Sequence, residues 1–502
     1  MGLKRLFMLL GAATVGLLLL VLVRTVSFGQ APPSPSSSVA HAPISLEGAA
    51  GHLSEALRLP FVTVDGAPTD RAALNLFHDW LSHTYPALHR AAPPITVGGG
   101  TLIFHLAGSG EAGRPIVLMA HQDVVPVQSP HAWAAAPFSG ELRDGAVWGR
   151  GAIDNRGSLI AIVEVLNSLS EGQERLARDV YLVSSHDEEG MQSGAAAAAA
   201  WFREHHIRPE FVLDEGSLVI ADHPVTKGRV ALIGISEKGY TTLRITARAE
   251  GGHSSAPPNE TAVSTLAEAL RRIADDPLPF SYGGPTKQML DALALDVPFT
   301  MRIPIANSWL FAPVLERVIA ATPQGAAMLH TTMAPTMLLG SPKANVLPTE
   351  ASAWINYRIA PTDSVAEVRR RAQEALEGLP VTLSIEGPAR EPSLVSSPTS
   401  AGFRQISNAA RRTFGVVTAP APVIAATDSR AFDGVADDVY RFEPIELSIS
   451  DTEMIHGTDE RLSIHALQKM LDFYYELLRN NALQKNTNDG SWEVGAKARR
   501  RS

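Results

Sequence analysis

The sequence predicts an α/β fold, a mostly parallel central sheet covered by helices, with a small α+β domain inserted into it. Three observations predict it. Short apolar runs, Ile116 to Ala120, Val180 to Val183 and Phe211 to Leu213, alternate with helical segments. Such uninterrupted apolar strands suit a parallel sheet buried on both faces. His121, Glu188-Glu189 and Asp214-Glu215 each follow one of these runs, and open α/β sheets place their sites beyond the carboxyl ends of strands. From about Ser236 the texture changes: Tyr240 to Ala247 alternates as a half-buried strand does.

Taken in order, Lys4-Arg5 precede an apolar run from Leu6 to Val23, and Arg24 closes it. At 1.5 Å per residue the run spans about 27 Å, enough for a bilayer core. Thr25 and Ser27 form a small-x-small pattern, so residues 1–27 read as a signal anchor or as a cleaved signal peptide. The chain beyond is exported either way, membrane-anchored in one case and secreted or periplasmic in the other. Residues 28–48, with Ala31 to Ser38 at their centre, read as a Pro/Ser-rich linker. The first part of the main domain covers 49–235. It holds a helix over Asp70 to His89, a strand over Thr101 to Leu106, and a glycine-rich turn over Gly149 to Gly157. Helices follow from Leu159 to Leu169 and from Gly194 to His205. The insertion covers 236–388. Its elements are helices over Thr261 to Ala274 and Val365 to Leu376, and strands over Ala353 to Ile359 and Val381 to Ile385. Between them, Phe280 to Gly340 is long and apolar and could line the apolar side of a bound ligand. The main domain resumes over 389–482 with helices near Phe403 to Phe414 and Ser463 to Arg479. Residues 483–502 read as a disordered tail.

Composition excludes several classes. A net charge of −9 argues against nucleic acid as a partner. The absence of cysteine removes disulfides, thiolate nucleophiles and cysteine-held zinc, so a metal must be held by His, Asp and Glu.

Those residue types converge. Adjacent acids at a strand mouth are costly without a cation between them. One of Glu188-Glu189 can ligate while the other is free for proton transfer. Asp154, in its glycine turn, can bridge two metals. Asp123, two residues after His121, can accept from the imidazole's second nitrogen and set its tautomer. His456 stands late in Ile455-His-Gly-Thr-Asp-Glu460.

The order His121-Gln-Asp123, Gly149-Arg-Gly-Ala-Ile-Asp154-Asn, Asp187-Glu188-Glu189, Asp214-Glu215-Gly and His456 resembles the dizinc metallopeptidase family of aminoacylase, carboxypeptidase S and glutamate carboxypeptidase. Ser236-Glu-Lys-Gly239, Gly252-His-Ser-Ser-Ala-Pro-Pro258, Asn307-Ser-Trp-Leu-Phe311, Thr427-Asp-Ser-Arg430 and Tyr440-Arg-Phe-Glu-Pro444 resemble its N-fatty-acyl-amino-acid synthase/hydrolase and carboxypeptidase S branch. The likeness implies a zinc-peptidase-like catalytic domain, an inserted lid or dimerisation domain, and two Zn2+ per subunit. His121 would bind one zinc with Glu215 or Asp214. Asp154 would bridge, and Glu189 and His456 would hold the other zinc. Glu188 would be the general base, with Asp123 behind His121. His253 would reach the tetrahedral oxyanion, from a neighbouring subunit in dimeric relatives. Asn345 and Arg358 would clamp the substrate, Arg358 on its free carboxylate. The implied reaction is hydrolysis of N-acyl amino acids, with N-fatty-acyl amino acids as the expected class and the reverse condensation open to the same catalyst. The alternative is a carboxypeptidase S-like carboxypeptidase or dipeptidase. A homodimer is compatible with either.

Overall fold

The structure, a computed structural model, describes residues 3–29, 41–64, 66–110, 113–172 and 176–481. The Pro/Ser-rich centre of the linker and the C-terminal tail lie outside these residues. At the centre of a ten-stranded sheet, Val180–Ser184, Ile116–Met119, Phe211–Asp214 and Asp438–Arg441 run parallel in that spatial order. Their register is level: Ile116 faces both Val180 and Phe211, and Phe211 faces Asp438. All four strands therefore end at one edge of the sheet. The loops carrying His121, Glu188-Glu189 and Glu215 open together there. Every side chain of Val180–Ser184, Ile116–Met119 and Phe211–Asp214 is buried, as the uninterrupted apolar runs require.

The buried helix Arg156–Glu171 and the helices Ala401–Phe414 and Ile464–Asn481 pack into the core on one face. Ser193–Glu204 covers the other. The helix expected over Asp70 to His89 is two helices, Arg71–Thr84 and Pro86–Ala91. Asp70 caps the first by accepting from the N–H groups of Ala72 and Ala73 at 3.0 Å. Pro86 breaks the run because it has no N–H to give and excludes helical geometry at Tyr85. Val417–Val423 is a strand that its two prolines, Pro420 and Pro422, argue against. It is tolerated because it pairs on one side only, with Val230–Glu237.

The chain leaves this sheet at Lys238. The strands Thr332–Leu339, Glu350–Ile359, Gly239–Arg248 and Val381–Arg390 form a second, wholly antiparallel sheet. Helices Ala262–Asp275 and Val365–Ala375 cover one face of it. Thr261 and Ser264 start the first of these helices with a reciprocal capping box. Glu237, next to the exit, forms a fully buried ion pair with Arg441 at 2.6 Å. The long apolar segment behaves differently from the rest of the insertion. Its helices Gly284–Leu293, Phe299–Ala306 and Ser308–Ile319 put Met289, Leu293, Ile305 and Leu315 against Val230, Ala419 and Ala421 of the main sheet. Burial there stabilises by roughly 1.5–3 kcal/mol for each large side chain.

Candidate active site

Each catalytic-edge loop is held by bonds that the local sequence supplies. In Asp187-Glu188-Glu189 the three acids have separate partners. Asp187 caps the next helix, accepting from the N–H groups of Ser193 at 2.9 Å and Gly194 at 2.8 Å. Asp123 accepts from the backbone N–H of Glu188 with one oxygen and of Glu189 with the other, both at 3.2 Å. Its carboxylate also lies 3.4 Å from His121 Nδ1, whose nearer contact is the Asp123 carbonyl at 2.9 Å. Asp123 therefore fixes the imidazole and the acidic turn together, leaving the Glu188 and Glu189 side chains free to face inward.

The loop bearing Asp154 is organised by Glu460. This buried carboxylate accepts from the N–H groups of Gly151 at 3.0 Å, Ile153 at 2.8 Å and Asp154 at 3.0 Å. It also pairs with Arg150 at 2.6 Å. Arg150 in turn donates to the carbonyls of His456 at 3.0 Å and Gly457 at 2.8 Å. His456, at φ 60°, stands in the left-handed region, and this clamp helps hold it there. Gly151, at φ 86°, is required: a Cβ there would stand 2.5 Å from Val124 Cγ1.

These loops bring the predicted side chains to one place. His121 Nε2 lies 2.9 Å from Asp154 Oδ1, and His456 Nε2 lies 3.0 Å from Asp154 Oδ2. The carboxylate thus turns a different oxygen to each imidazole. Glu215 stands 3.5 Å from His121 Nε2, and Glu189 stands 3.2 Å from His456 Nε2. Three groups have donor atoms close enough to share a metal ion: His121, Asp154 and Glu215; Asp154, Glu189 and His456; and His121, Glu188 and Glu189. Asp214 is in none of them. Its carboxylate accepts from the Ser429 N–H at 2.8 Å.

The electrostatics fit a cation. Burial, reinforced by Asp428, pushes the Glu188 carboxyl well above the usual carboxylate range. Burial, with Asp154 adding to it, pushes Glu215 up to about 7. Burial also raises Glu189, although His456 pulls against it. Asp154 goes the other way: burial is outweighed by His121 and His456, which hold it below the usual range. Hydrogen bonds to Asp154 and Glu189 lift His456 to about 10. Four acids around two imidazoles, with no lysine or arginine in their ion pairs among the described residues, form a donor set that a divalent metal would satisfy.

The other expected residues lie on the second sheet's side. His253, on the short strand Gly252–His253, is exposed and shares Nδ1 with Ser255 at 2.8 Å. Asn345 adjoins it, accepting from the Ser254 N–H at 3.2 Å. Arg358 is exposed, with its guanidinium stacked 4.9 Å over the Tyr240 ring. Among the described residues, no hydrogen bond or ion pair joins these three to the metal-ligand groups. Two functional positions escape the sequence reading. Glu460 stands four residues after His456 in the quoted motif but signals nothing by type. Gln192 donates to Glu188 Oε1 at 2.8 Å and accepts from Arg390 of the second sheet, which also donates to the Met191 carbonyl at 3.1 Å. It tethers the inserted domain to the expected base.

The comparisons agree with this geometry. The profile of peptidase family M20/M25/M40 matches residues 117–480. Probable carboxypeptidase S-like 2 of Dictyostelium discoideum is 35% identical over 410 residues, covering 80% of this chain and 79% of that protein. The N-fatty-acyl-amino acid synthase/hydrolase of Xenopus tropicalis is 33% identical over 437 residues, covering 86% and 85%. Among solved structures, an M20-family metallo-carboxypeptidase from Sulfolobus solfataricus superposes with a TM-score of 0.62 at 18% identity. It spans 86% of this chain and 98% of its own, and shows the same fold. With the family profile, these relatives and the clustered metal donors, the chain belongs to peptidase family M20/M25/M40 and is a metal-dependent hydrolase.

Proposed function

We propose that the protein hydrolyses the amide bond between an acyl group and an amino acid whose carboxylate is free, with two zinc ions shared through Asp154. The observation that carries this reading is the pair of Asp154 oxygens, each turned to a different imidazole. His121 and Glu215 complete one donor set, and Glu189 and His456 the other. Zinc bound there would lower the pKa of a coordinated water and polarise the scissile carbonyl. Glu188 would accept the water's proton and pass it to the leaving amine. Its raised pKa suits a group that must hold that proton between the two steps. Asp123 would keep His121 in one tautomer. Arg358, held by Tyr240, would present its planar fork to the carboxylate, and Asn345 would bind a neighbouring polar group. His253 would stabilise the oxyanion once the second sheet's flank, of this chain or of a second copy, reaches the metals.

The acyl side decides between two substrate classes. We favour a peptidyl group, and hence a carboxypeptidase or dipeptidase. Much of the apolar segment expected to line an acyl pocket is used elsewhere: Met301 packs with Ile305 and Leu315 against the main sheet, and Phe299, Trp309 and Leu310 are exposed. The fold match to a metallo-carboxypeptidase supports the same side. The fatty-acyl reading rests on the motifs shared with that branch and on the similarity to the Xenopus tropicalis synthase/hydrolase.

The test is kcat/KM for dipeptides and N-acyl amino acids that share one C-terminal residue, with acyl chains from acetyl to oleoyl and methyl-ester controls. Dipeptides should be the better substrates. Esters should lose roughly 10–100-fold, the worth of a charge-assisted hydrogen-bond pair. A rise of about fourfold per methylene, from ~0.8 kcal/mol each, would transfer the assignment to fatty-acyl substrates. Equal turnover of acids and esters would remove the carboxylate requirement.

A further inference from the structure

The N-terminal helix Leu3–Ser27 is long and apolar enough to cross a membrane, and its most apolar 18-residue stretch is not buried within the protein. Its last turns are nonetheless docked on the folded body. Asn307, fully buried between the helices Phe299–Ala306 and Ser308–Ile319, donates through Nδ2 to the Val21 carbonyl at 3.2 Å and to Thr25 Oγ1 at 3.0 Å. Thr25 is itself fully buried, and Phe28 packs into the cluster that seats these helices on the main sheet. Cleavage near Phe28 would remove Val21 and Thr25. The Asn307 amide would keep only the Ile303 carbonyl at 2.9 Å among its present acceptors. Leaving a buried amide short of partners is costly.

The helix Ser308–Ile319 starts at this contact and turns an apolar stripe outward. Leu310, Val314 and Val318, four residues apart, share one face, with Trp309 beside them; all four are more than 40% exposed. Glu316 is absent from that face, since its carboxylate accepts from the Tyr282 N–H at 2.9 Å. Arg317 is exposed at the far end, where a long basic side chain can reach the headgroups. Val21 and Thr25 lie at the end of the apolar run that Arg24 closes, which is the level of the membrane–water interface. Trp309 follows Asn307 by two residues and so stands near that level, where tryptophan is favoured.

We infer that the N-terminal helix is a retained anchor and that the outward face of Ser308–Ile319 lies in the interface of the same bilayer, on the side opposite Lys4-Arg5. The occupant of the apolar stripe is lipid. The face continues the lipid-facing surface of the anchor and carries no exposed acid, as an interfacial helix requires.

The test uses the full-length chain in phosphatidylcholine vesicles with and without dibrominated acyl chains, compared with Trp309→Phe. Subtracting the variant isolates the Trp309 emission from that of the other tryptophans. Bromine should quench this difference signal, aqueous iodide should not, and N-terminal sequencing of the extracted chain should find residues before Val21. Quenching by iodide alone would place the face in water and overturn the inference. Quenching by neither would mean that a second copy or another protein covers it, which overturns it equally. A chain beginning near Phe28 would show that the anchor is not retained.

Discussion

Replacing Glu188 with Gln is expected to leave both metals bound and to lower kcat by about 10²–10⁴-fold, the usual contribution of a positioned general base. Glu188 shares a donor group with His121 and Glu189, so its carboxylate stands within reach of both metal sets. It has no short contact with either imidazole, and its hydrogen bond comes from Gln192. The amide of Gln can occupy the same space but cannot take a proton. Glu189 is the control. Its oxygen lies 3.2 Å from His456 Nε2 in the group completed by Asp154, so Glu189→Gln should lose metal as well as rate. Metal analysis and steady-state kinetics on the two variants separate the roles. Near-normal turnover of Glu188→Gln, or metal loss equal to that of Glu189→Gln, would contradict the assignment.

Replacing Asp154 with Asn should have an effect of similar size. The carboxylate offers one oxygen to the His121 side and the other to the His456 side. An amide has one carbonyl oxygen and an NH2 group that repels a cation. Asn at this position can therefore complete one donor set and not both. Zinc content should fall to one ion or fewer per chain, and turnover by about 10²–10³-fold or more, the scale of losing a preorganised electrostatic stabiliser. The loop itself should survive, because Glu460 holds it through backbone N–H groups that this change does not touch. The variant should therefore still fold, with any fall in melting temperature no larger than the loss of bound metal accounts for. Two tightly bound ions in Asp154→Asn would show that the carboxylate does not bridge.

The legibility of the sequence followed the physics of each part. The parallel strands were readable because burial on both faces demands apolar runs, and the candidate ligands His121, Glu189 and Glu215 because each stands just beyond one of them. Glu215 and Asp214 could not be told apart, since neighbours at a strand end can both turn toward a site. The Ser429 N–H, more than two hundred residues away in sequence, engages the Asp214 carboxylate. Val417–Val423 was hidden because its prolines disfavour a strand, and only an edge position makes them acceptable. Glu460 and Gln192 were hidden for another reason. Their work is to bond loops distant in sequence, and nothing in their type announces it. Phe280 to Gly340 showed its apolar character plainly, but composition cannot say which surface covers it. Part of the segment went to the main sheet and part faces outward beside the N-terminal helix.

The account rests most heavily on two metals doing the chemistry, and stepwise reconstitution tests that directly. The full-length protein is stripped with a chelator, dialysed, and titrated with zinc while bound metal and dipeptide hydrolysis are measured together. Turnover should vanish on stripping and return as zinc is added, reaching its plateau at two equivalents per chain. Full activity in the stripped protein, or a plateau at one equivalent with no second ion bound, would contradict it.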